Sequence, residues 1–217
     1  MPENFLNLLL HPLSVVVMSY LLGSLSFAVI VSKFMGLSDP RSYGSKNPGA
    51  TNVLRSGNKK AAVLTLLFDA LKGWAPVFCV LQYGGAFGLT EAAAAGAGLA
   101  AFLGHLYPIF FKFEGGKGVA TALGVLMGVS PILGLAIALT WVGVAWFFKY
   151  SSLAALLAAL LAPVYYAMAA DLFWWNFNGA IFGMLCVMGV LLVWRHQENV
   201  NRLLAGTESK LGAKKTN

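Results

Sequence analysis

Long uninterrupted apolar runs separate the few charged residues of this 217-residue chain. A helix that crosses lipid hydrocarbon about 30 Å thick needs about 20 apolar residues. Helices are suited to lipid because a helix satisfies its own backbone hydrogen bonds. The runs are continuous instead of alternating, which disfavours a transmembrane β-barrel. With a mean hydropathy of +0.74 and 11% charged residues, the sequence predicts an all-α, polytopic integral membrane protein, with residues 1–217 forming a single membrane domain.

The apolar runs predict seven transmembrane helices, at residues 12–35, 61–83, 89–111, 118–130, 132–148, 152–170 and 177–194. The stretch 118–148 is too long for one ordinary span and short for two. The sequence GVSP at 128–131 provides a break, because proline cannot continue a helix and disfavours helical backbone at the preceding residue. Two short spans are therefore expected there.

Basic residues are segregated along the chain. All fifteen Lys and Arg lie at 33–60, at Lys72, at 112–117, at Lys149 or from Arg195 onward. With seven spans, these segments emerge on one face, apart from Lys72 inside the second span, and the opposite connections carry no Lys or Arg. The positive-inside rule predicts an extracytoplasmic N-terminus and a cytoplasmic C-terminus. We attribute the net charge of +7 to basic residues that border anionic membrane lipids, and nucleic acid is not an expected partner.

Two polar segments on the predicted cytoplasmic face have the composition of a phosphate-binding site. GSKNPGATNVLR spans residues 44–55, and GGKGVAT spans 115–121 immediately before a predicted helix. Glycine lets backbone N–H groups approach an anion, short polar side chains add donors, and a helix N-terminus favours negative charge. A glycine-rich turn with a snorkelling lysine is the alternative for the second segment. The candidate phosphate-binding residues are Ser45, Asn47, Gly49, Thr51, Asn52, Arg55, Gly115, Gly116 and Gly118.

Two further polar segments, KYSSLA at 149–154 and WRHQENVNRLLAGTESK at 194–210, lie on the same predicted face. His196 and Asn199 share a helix face there through their i, i+3 spacing. Within the spans, Asp69 and Lys72 have the same spacing and are close enough to form an ion pair. His105 is expected to be structural, and Cys79 and Cys186 are expected to be packing residues. No metal site or cofactor is expected.

The ordered set GSKNPGATNVLR, DALKG, GHLYPIFFKFEGGKGVAT, KYSSL and RHQENVNRLLAGTESK resembles the bacterial acyl-phosphate:glycerol-3-phosphate acyltransferase family of the PlsY type. This resemblance covers essentially the whole chain. It implies transfer of a fatty acyl group from acyl phosphate to the 1-hydroxyl of glycerol 3-phosphate, which gives lysophosphatidic acid and phosphate, on the cytoplasmic face. It also implies that Ser45 and Arg55 contact phosphate and that Lys117, Ser152, His196 and Asn199 form the catalytic set. Lys149 and Ser151 depart from the family motif, where Arg and Val are common, so the sequence leaves open which of Ser151 and Ser152 acts.

The sequence lacks the H-x-x-x-x-D pair, a Cys–His pair and a G-x-S-x-G nucleophile. A covalent acyl-enzyme is therefore not expected, and positioning with charge stabilisation is the predicted contribution of the protein. The hydroxyl proton goes either to His196 or to a substrate phosphate oxygen, and the sequence does not choose. A small transporter of an anionic metabolite is the alternative function, although such proteins usually place polar sites near the membrane midplane.

Overall fold

The computed structural model describes residues 11–172 and 175–212, and every regular element in these two ranges is helical. Helices occur at all seven positions where apolar runs predict them. The α-helices are α1 (Pro12–Gly23), α2 (Phe27–Phe34), α3 (Ala50–Leu54), α4 (Lys59–Tyr83), α5 (Glu91–Leu106), α6 (Val119–Val129), α7 (Pro131–Phe148), α8 (Ser151–Ala169), α9 (Gly179–Arg195) and α10 (Gln197–Leu204), with short 3₁₀ helices at Gly84–Phe87 and Ile109–Phe111.

Length and composition make four stretches of the described chain long and apolar enough to cross a membrane. They are α4 and α5, each with the 3₁₀ turn that follows it, together with α7 and α8. Two bent pairs raise the number to six, since α1 and α2 meet at 43° and α9 and α10 at 58°. The 11 residues of α6 extend only about 16 Å. The protein is thus a multi-pass helical membrane protein, and the count of seven spans and its orientation stay predictions.

The predicted break in residues 118–148 is confirmed. Helix α6 ends at Val129 and α7 begins at Pro131, with Ser130 between them in extended conformation. Proline fits the first turn of α7 because no intrahelical partner exists there for a backbone N–H. Residues on either side of the break therefore form two helices that pack against each other.

Helices α4 and α6 approach closely because glycine lies on each contact face. A Cβ atom at Gly124 of α6 would overlap the carbonyl oxygen of Ala70, and one at Gly73 of α4 would overlap the carbonyl oxygen of Thr121. Small residues allow this backbone approach in lipid, where no hydrophobic force drives helices together. The approach fixes the start of α6, and with it the glycine-rich segment that precedes it.

The outer surface is apolar, as expected for a protein that faces lipid. On α7, the side chains of Leu135, Leu139 and Trp146 are exposed on one face. Cys186 is half-buried, but Cys79 is exposed on α4, so the expectation that Cys79 packs inside the protein is wrong. Its position on the outer helix face, which periodicity alone did not distinguish, places it toward lipid.

Candidate functional site

A cavity of about 1300 Å³ opens where the four polar segments meet. Every candidate site residue named from the sequence contributes to its wall except Gly116. Six basic side chains line it against three acidic ones, so the polar end carries an excess of positive charge. The bases are Lys46, Arg55, Lys59, Lys117, Arg195 and Arg202, and the acids are Asp69, Glu198 and Glu208.

The loop that begins at Gly44 is held by the side chain of Asn52. This amide is 1% exposed. Its Oδ1 accepts the backbone N–H of Ser45 at 3.0 Å, and its Nδ2 donates to the carbonyl oxygens of Pro40 at 2.6 Å and Tyr43 at 3.1 Å. Asn52 therefore uses its polar atoms to shape the loop, because a buried amide must be hydrogen-bonded to the protein or to water.

Gly44 is required by the same arrangement. It has a φ of +60°, and a Cβ atom there would overlap Oδ1 of Asn52. Only glycine meets both conditions without strain. Gly49 then precedes the short helix α3, and Arg55 follows its last residue.

Arg55 is available to a ligand. Its side chain is exposed at the cavity wall, and within the described residues no hydrogen bond or ion pair involves its guanidinium. A guanidinium remains charged at all physiological pH values and binds phosphate with two parallel hydrogen bonds. The position and freedom of Arg55 suit an anion in the cavity.

The glycine-rich loop at 115–118 is clamped between α5 and Arg195. Nη2 of Arg195 donates to the carbonyl oxygens of Gly115 at 2.9 Å and Gly116 at 3.2 Å. The N–H of Gly116 donates to the carbonyl oxygen of His105 at 3.1 Å. Gly116 lies behind the cavity wall, and its glycine identity has a packing reason, since a Cβ atom would overlap Nε2 of His105.

Lys117 extends from this loop to the last polar segment. Its Nζ donates to Oδ1 of Asn199. Burial, together with the positive charge of Arg202, lowers the pKa of Lys117 to about 8. Lys117 is therefore mostly charged at neutral pH but loses its charge in mildly alkaline solution, unlike an exposed lysine.

Ser152 and Asn199 meet at the carboxylate of Glu208. Oε1 of Glu208 accepts from the Ser152 hydroxyl at 2.7 Å and from Nδ2 of Asn199 at 2.6 Å, and Oε2 accepts from Nε of Arg202 at 2.7 Å. Burial raises the pKa of Glu208, but the hydrogen bonds from Ser152, Arg202 and Asn199 outweigh it and leave the pKa below its ordinary value. Ser152, and not Ser151, is the serine in this network.

His196 lies at the bend between α9 and α10 and is 3% exposed. Its Nδ1 is 2.8 Å from the carbonyl oxygen of Leu192. A carbonyl oxygen only accepts, so Nδ1 carries a proton, and burial lowers the pKa of His196 to about 4, which leaves the ring neutral with a lone pair on Nε2. His196 directly precedes α10 and Asn199 lies in its first turn, and both side chains are buried.

The intramembrane polar residues form a cluster beneath the glycine-rich loop, and Asp69 of this cluster reaches the cavity wall. Nζ of Lys72 lies 2.8 Å from Oδ1 of Asp69 and donates to the carbonyl oxygen of Leu25 at 2.6 Å, which confirms the predicted ion pair. Nδ1 of His105 lies 3.2 Å from Oγ1 of Thr121. His105 also contributes to the cavity wall, and its structural role stays a prediction.

Away from the charged end, the cavity continues between α6, α7, α8 and α9, where its wall is apolar. Four small residues of α8 line it, together with larger side chains from the other helices. These residues are Ala155, Ala158, Ala159, Ala162, Leu123, Leu126, Ile137, Trp141, Leu185 and Met188. One continuous space therefore adjoins both fixed positive charges and a long apolar surface.

Sequence reasoning missed Glu208, Arg202 and the structural role of Arg195. Charged residues in a polar segment after the last span give no periodic signal, and their usual condition is solvation. Only the reversal after α10 brings Glu208 back, since Gly206 has a φ of +70° and the N–H of Thr207 donates to the carbonyl oxygen of Arg202 at 2.8 Å. A buried acid among basic neighbours becomes visible only once this turn is known.

The sequence model of glycerol-3-phosphate acyltransferases matches residues 13–206 of the chain. The chain is 58% identical over 214 residues to a glycerol-3-phosphate acyltransferase of Albidiferax ferrireducens, with 98% of this chain and 95% of the relative covered. It is 61% identical over 199 residues to the enzyme of the same description from Burkholderia cenocepacia strain HI2424, with 91% and 89% covered.

Two crystal structures of PlsY, described as an integral membrane glycerol 3-phosphate acyltransferase, are similar to this fold. The glycerol 3-phosphate form has a TM-score of 0.84 and 41% identity, over 93% of this chain and 96% of that chain. The lysophosphatidic acid form has a TM-score of 0.83 and 40% identity, over 93% and 95%.

Proposed function

Because the chain belongs to the glycerol-3-phosphate acyltransferase family, it is a membrane acyltransferase that acts on glycerol 3-phosphate, and we propose that its acyl donor is acyl phosphate. The products are then lysophosphatidic acid, as 1-acyl-glycerol 3-phosphate, and inorganic phosphate. This reaction is the first acylation step of phospholipid synthesis. The proposal extends to residues 1–217 acting as one domain.

One observation supports acyl phosphate as the acyl donor: a single cavity joins a cluster of positive charges to an apolar channel between helices. An acyl phosphate has both features, a phosphate group for the charged end and an alkyl chain for the channel. Alanines of α8 line this channel and leave room for the chain. Among the described residues of the wall, only Trp141 and Trp194 carry Trp, Tyr or Phe side chains, so we expect no stacking surface for the nucleotide of a carrier-linked donor.

We place the polar end of the cavity at the cytoplasmic face of the bacterial inner membrane. The basic segments then lie beside anionic lipid, and the N-terminus is extracytoplasmic after seven spans. The apolar channel lies at membrane depth, so the alkyl chain stays among apolar groups while the phosphate remains near water. Both water-soluble glycerol 3-phosphate and a membrane-resident donor can reach the site in this orientation.

In the proposed reaction, a hydroxyl oxygen of glycerol 3-phosphate attacks the acyl carbon of acyl phosphate. A carbon–oxygen bond forms to the acceptor, and the bond from the acyl carbon to the phosphate oxygen breaks. Ser45 and Arg55 hold a phosphate group of a substrate, and the loop residues Asn47, Gly49 and Thr51 lie beside them. Lys117 supplies a second positive charge near Asn199. The hydroxyl proton goes to Nε2 of His196 or to an oxygen of the departing phosphate.

The test is a direct assay of purified protein with palmitoyl phosphate and glycerol 3-phosphate, in which lysophosphatidic acid is followed by mass spectrometry. Palmitoyl-CoA and palmitoyl-acyl-carrier protein serve as competing donors at equal concentration. Product formation only with palmitoyl phosphate supports the proposal. Comparable rates with either carrier-linked donor would refute it.

A further inference from the structure

Glu208 is an acid with a largely buried side chain among residues that are proposed to bind substrate. Its side chain is 7% exposed, and it lies two residues beyond the segment matched by the family model. The backbone around it is fixed, because the N–H of Leu211 donates to the carbonyl oxygen of Lys149 at 2.7 Å. The last polar segment is therefore attached to the loop that leads into α8, where Ser152 lies.

The hydrogen bonds around Glu208 have a defined direction. An ionised carboxylate can only accept, so the Ser152 hydroxyl, 2.7 Å from Oε1, donates its one proton to Glu208. The amide of Asn199 is oriented in the same way, because its Nδ2 donates to Glu208 and its Oδ1 accepts from Lys117. Neither side chain can rotate without leaving a buried polar atom unpaired, which is costly.

This direction determines what Ser152 can bind. With its proton directed to Glu208, the hydroxyl presents only lone pairs to the cavity. Oxygens of a phosphate dianion carry no proton and would meet these lone pairs unfavourably. A hydroxyl group of the substrate, in contrast, can donate to them.

We propose that Glu208 is a positioning residue that makes Ser152 a hydrogen-bond acceptor for a hydroxyl group of glycerol 3-phosphate. Ser152 then recognises the glycerol part of the acceptor, while the phosphate binds to the positively charged part of the wall. Glu208 acts through Ser152 and Asn199 and does not itself touch the substrate. The inference rests on the proposed role of Ser152 as a substrate-binding residue.

The variant Glu208→Gln tests this inference with little change of shape. A carboxylate offers an acceptor to Arg202 and another to the Ser152–Asn199 pair, but an amide has only one acceptor oxygen. Glu198→Gln is the matched control, because Glu198 is an acid of α10 that lies 3.8 Å from the same Arg202, but its side chain is 88% exposed. Dissociation constants of glycerol 3-phosphate and propyl phosphate, which lacks both hydroxyls, are measured by calorimetry without an acyl donor.

We expect wild type and Glu198→Gln to bind glycerol 3-phosphate more tightly than propyl phosphate, and Glu208→Gln to reduce this preference by roughly tenfold, the effect of one hydrogen bond. Ser152→Ala should reduce it similarly, and the double variant no further. An unchanged preference in Glu208→Gln, additive losses in the double variant, or no preference in wild type would each overturn the inference.

A folding defect cannot imitate the expected result. An unfolded fraction lowers the apparent stoichiometry of binding but not the ratio of two dissociation constants measured on the same preparation. If Glu208→Gln yields no folded protein, Ser152→Ala alone decides, since an unchanged ratio there contradicts the inference. Binding without a donor also separates this result from the choice of acyl donor, which the activity assay tests.

Discussion

Deprotonation of Lys117 should control the alkaline limb of the pH–rate profile. Burial and the nearby positive charge of Arg202 lower the pKa of Lys117 to about 8. A lysine is charged below its pKa and neutral above it, so the charge that attracts an anionic substrate is lost as the pH rises through about 8. For this pKa, about 90% of Lys117 is charged at pH 7 and about 10% at pH 9.

The expected result is a fall of roughly 5- to 10-fold in kcat/KM for glycerol 3-phosphate between pH 7 and pH 9, because kcat/KM reports ionisations of the free enzyme. The assay follows lysophosphatidic acid at each pH, with hydrolysis of the acyl donor subtracted from parallel reactions without enzyme. Lys117→Arg is the control, since arginine stays charged across this range. Only the shape of its profile matters, whatever its absolute rate.

Two outcomes would refute the reasoning. The first is a wild-type profile that stays flat up to pH 9. The second is an alkaline limb in Lys117→Arg at the same pH as in wild type, which would assign the limb to a different group. Either result would mean that Lys117 does not contribute its charge to binding of the acceptor.

Four further predictions follow from the site and the fold. Arg55→Ala should raise KM roughly 10- to 100-fold through loss of charged hydrogen bonds, and Arg55→Lys should restore only part of this in steady-state assays; an unchanged KM in Arg55→Ala would exclude phosphate binding. If His196 is the base, His196→Ala should lower kcat by roughly 10²- to 10⁴-fold; near-full activity of His196→Asn with an unchanged pH profile would leave the proton to a substrate phosphate. A single cysteine at Asn58, in a variant without the native cysteines, should resist a membrane-impermeant thiol reagent in intact cells, whereas one at Glu91 should react; labelling of position 58 would overturn the orientation. Gly124→Val should lower the midpoint of thermal unfolding in detergent, because the added carbons overlap the backbone of the facing helix; an unchanged midpoint would show that the two helices separate freely.

Most of the helical architecture could be predicted from the sequence. The helices begin and end within a few residues of the predicted spans because apolar run length and proline placement act locally. The break at Pro131 is an example, since the ring and the missing N–H of one proline act on the residues directly before it. Charge segregation predicts an orientation by the same kind of local argument, and the cysteine experiment tests it.

The sequence also predicts which segments form the polar site. It does not predict which of their side chains face a ligand and which hold the protein backbone. Asn52 is of a residue type that can bind phosphate, yet its amide is hydrogen-bonded to the backbone of its own loop. Arg195 is basic and lines the cavity, yet it holds the carbonyl oxygens of the glycine-rich loop. Whether a donor faces a ligand or the protein depends on neighbours far away along the chain.

The sequence by itself determined that the chain spans a membrane as helices and that its hydrogen-bonding residues collect in four segments. It did so because lipid imposes the same local requirement on every apolar run. Only the tertiary structure decided that Glu208 joins Ser152, Asn199 and Arg202. That contact brings together groups up to 56 positions apart, and it forms because a buried carboxylate requires donors that no local pattern specifies.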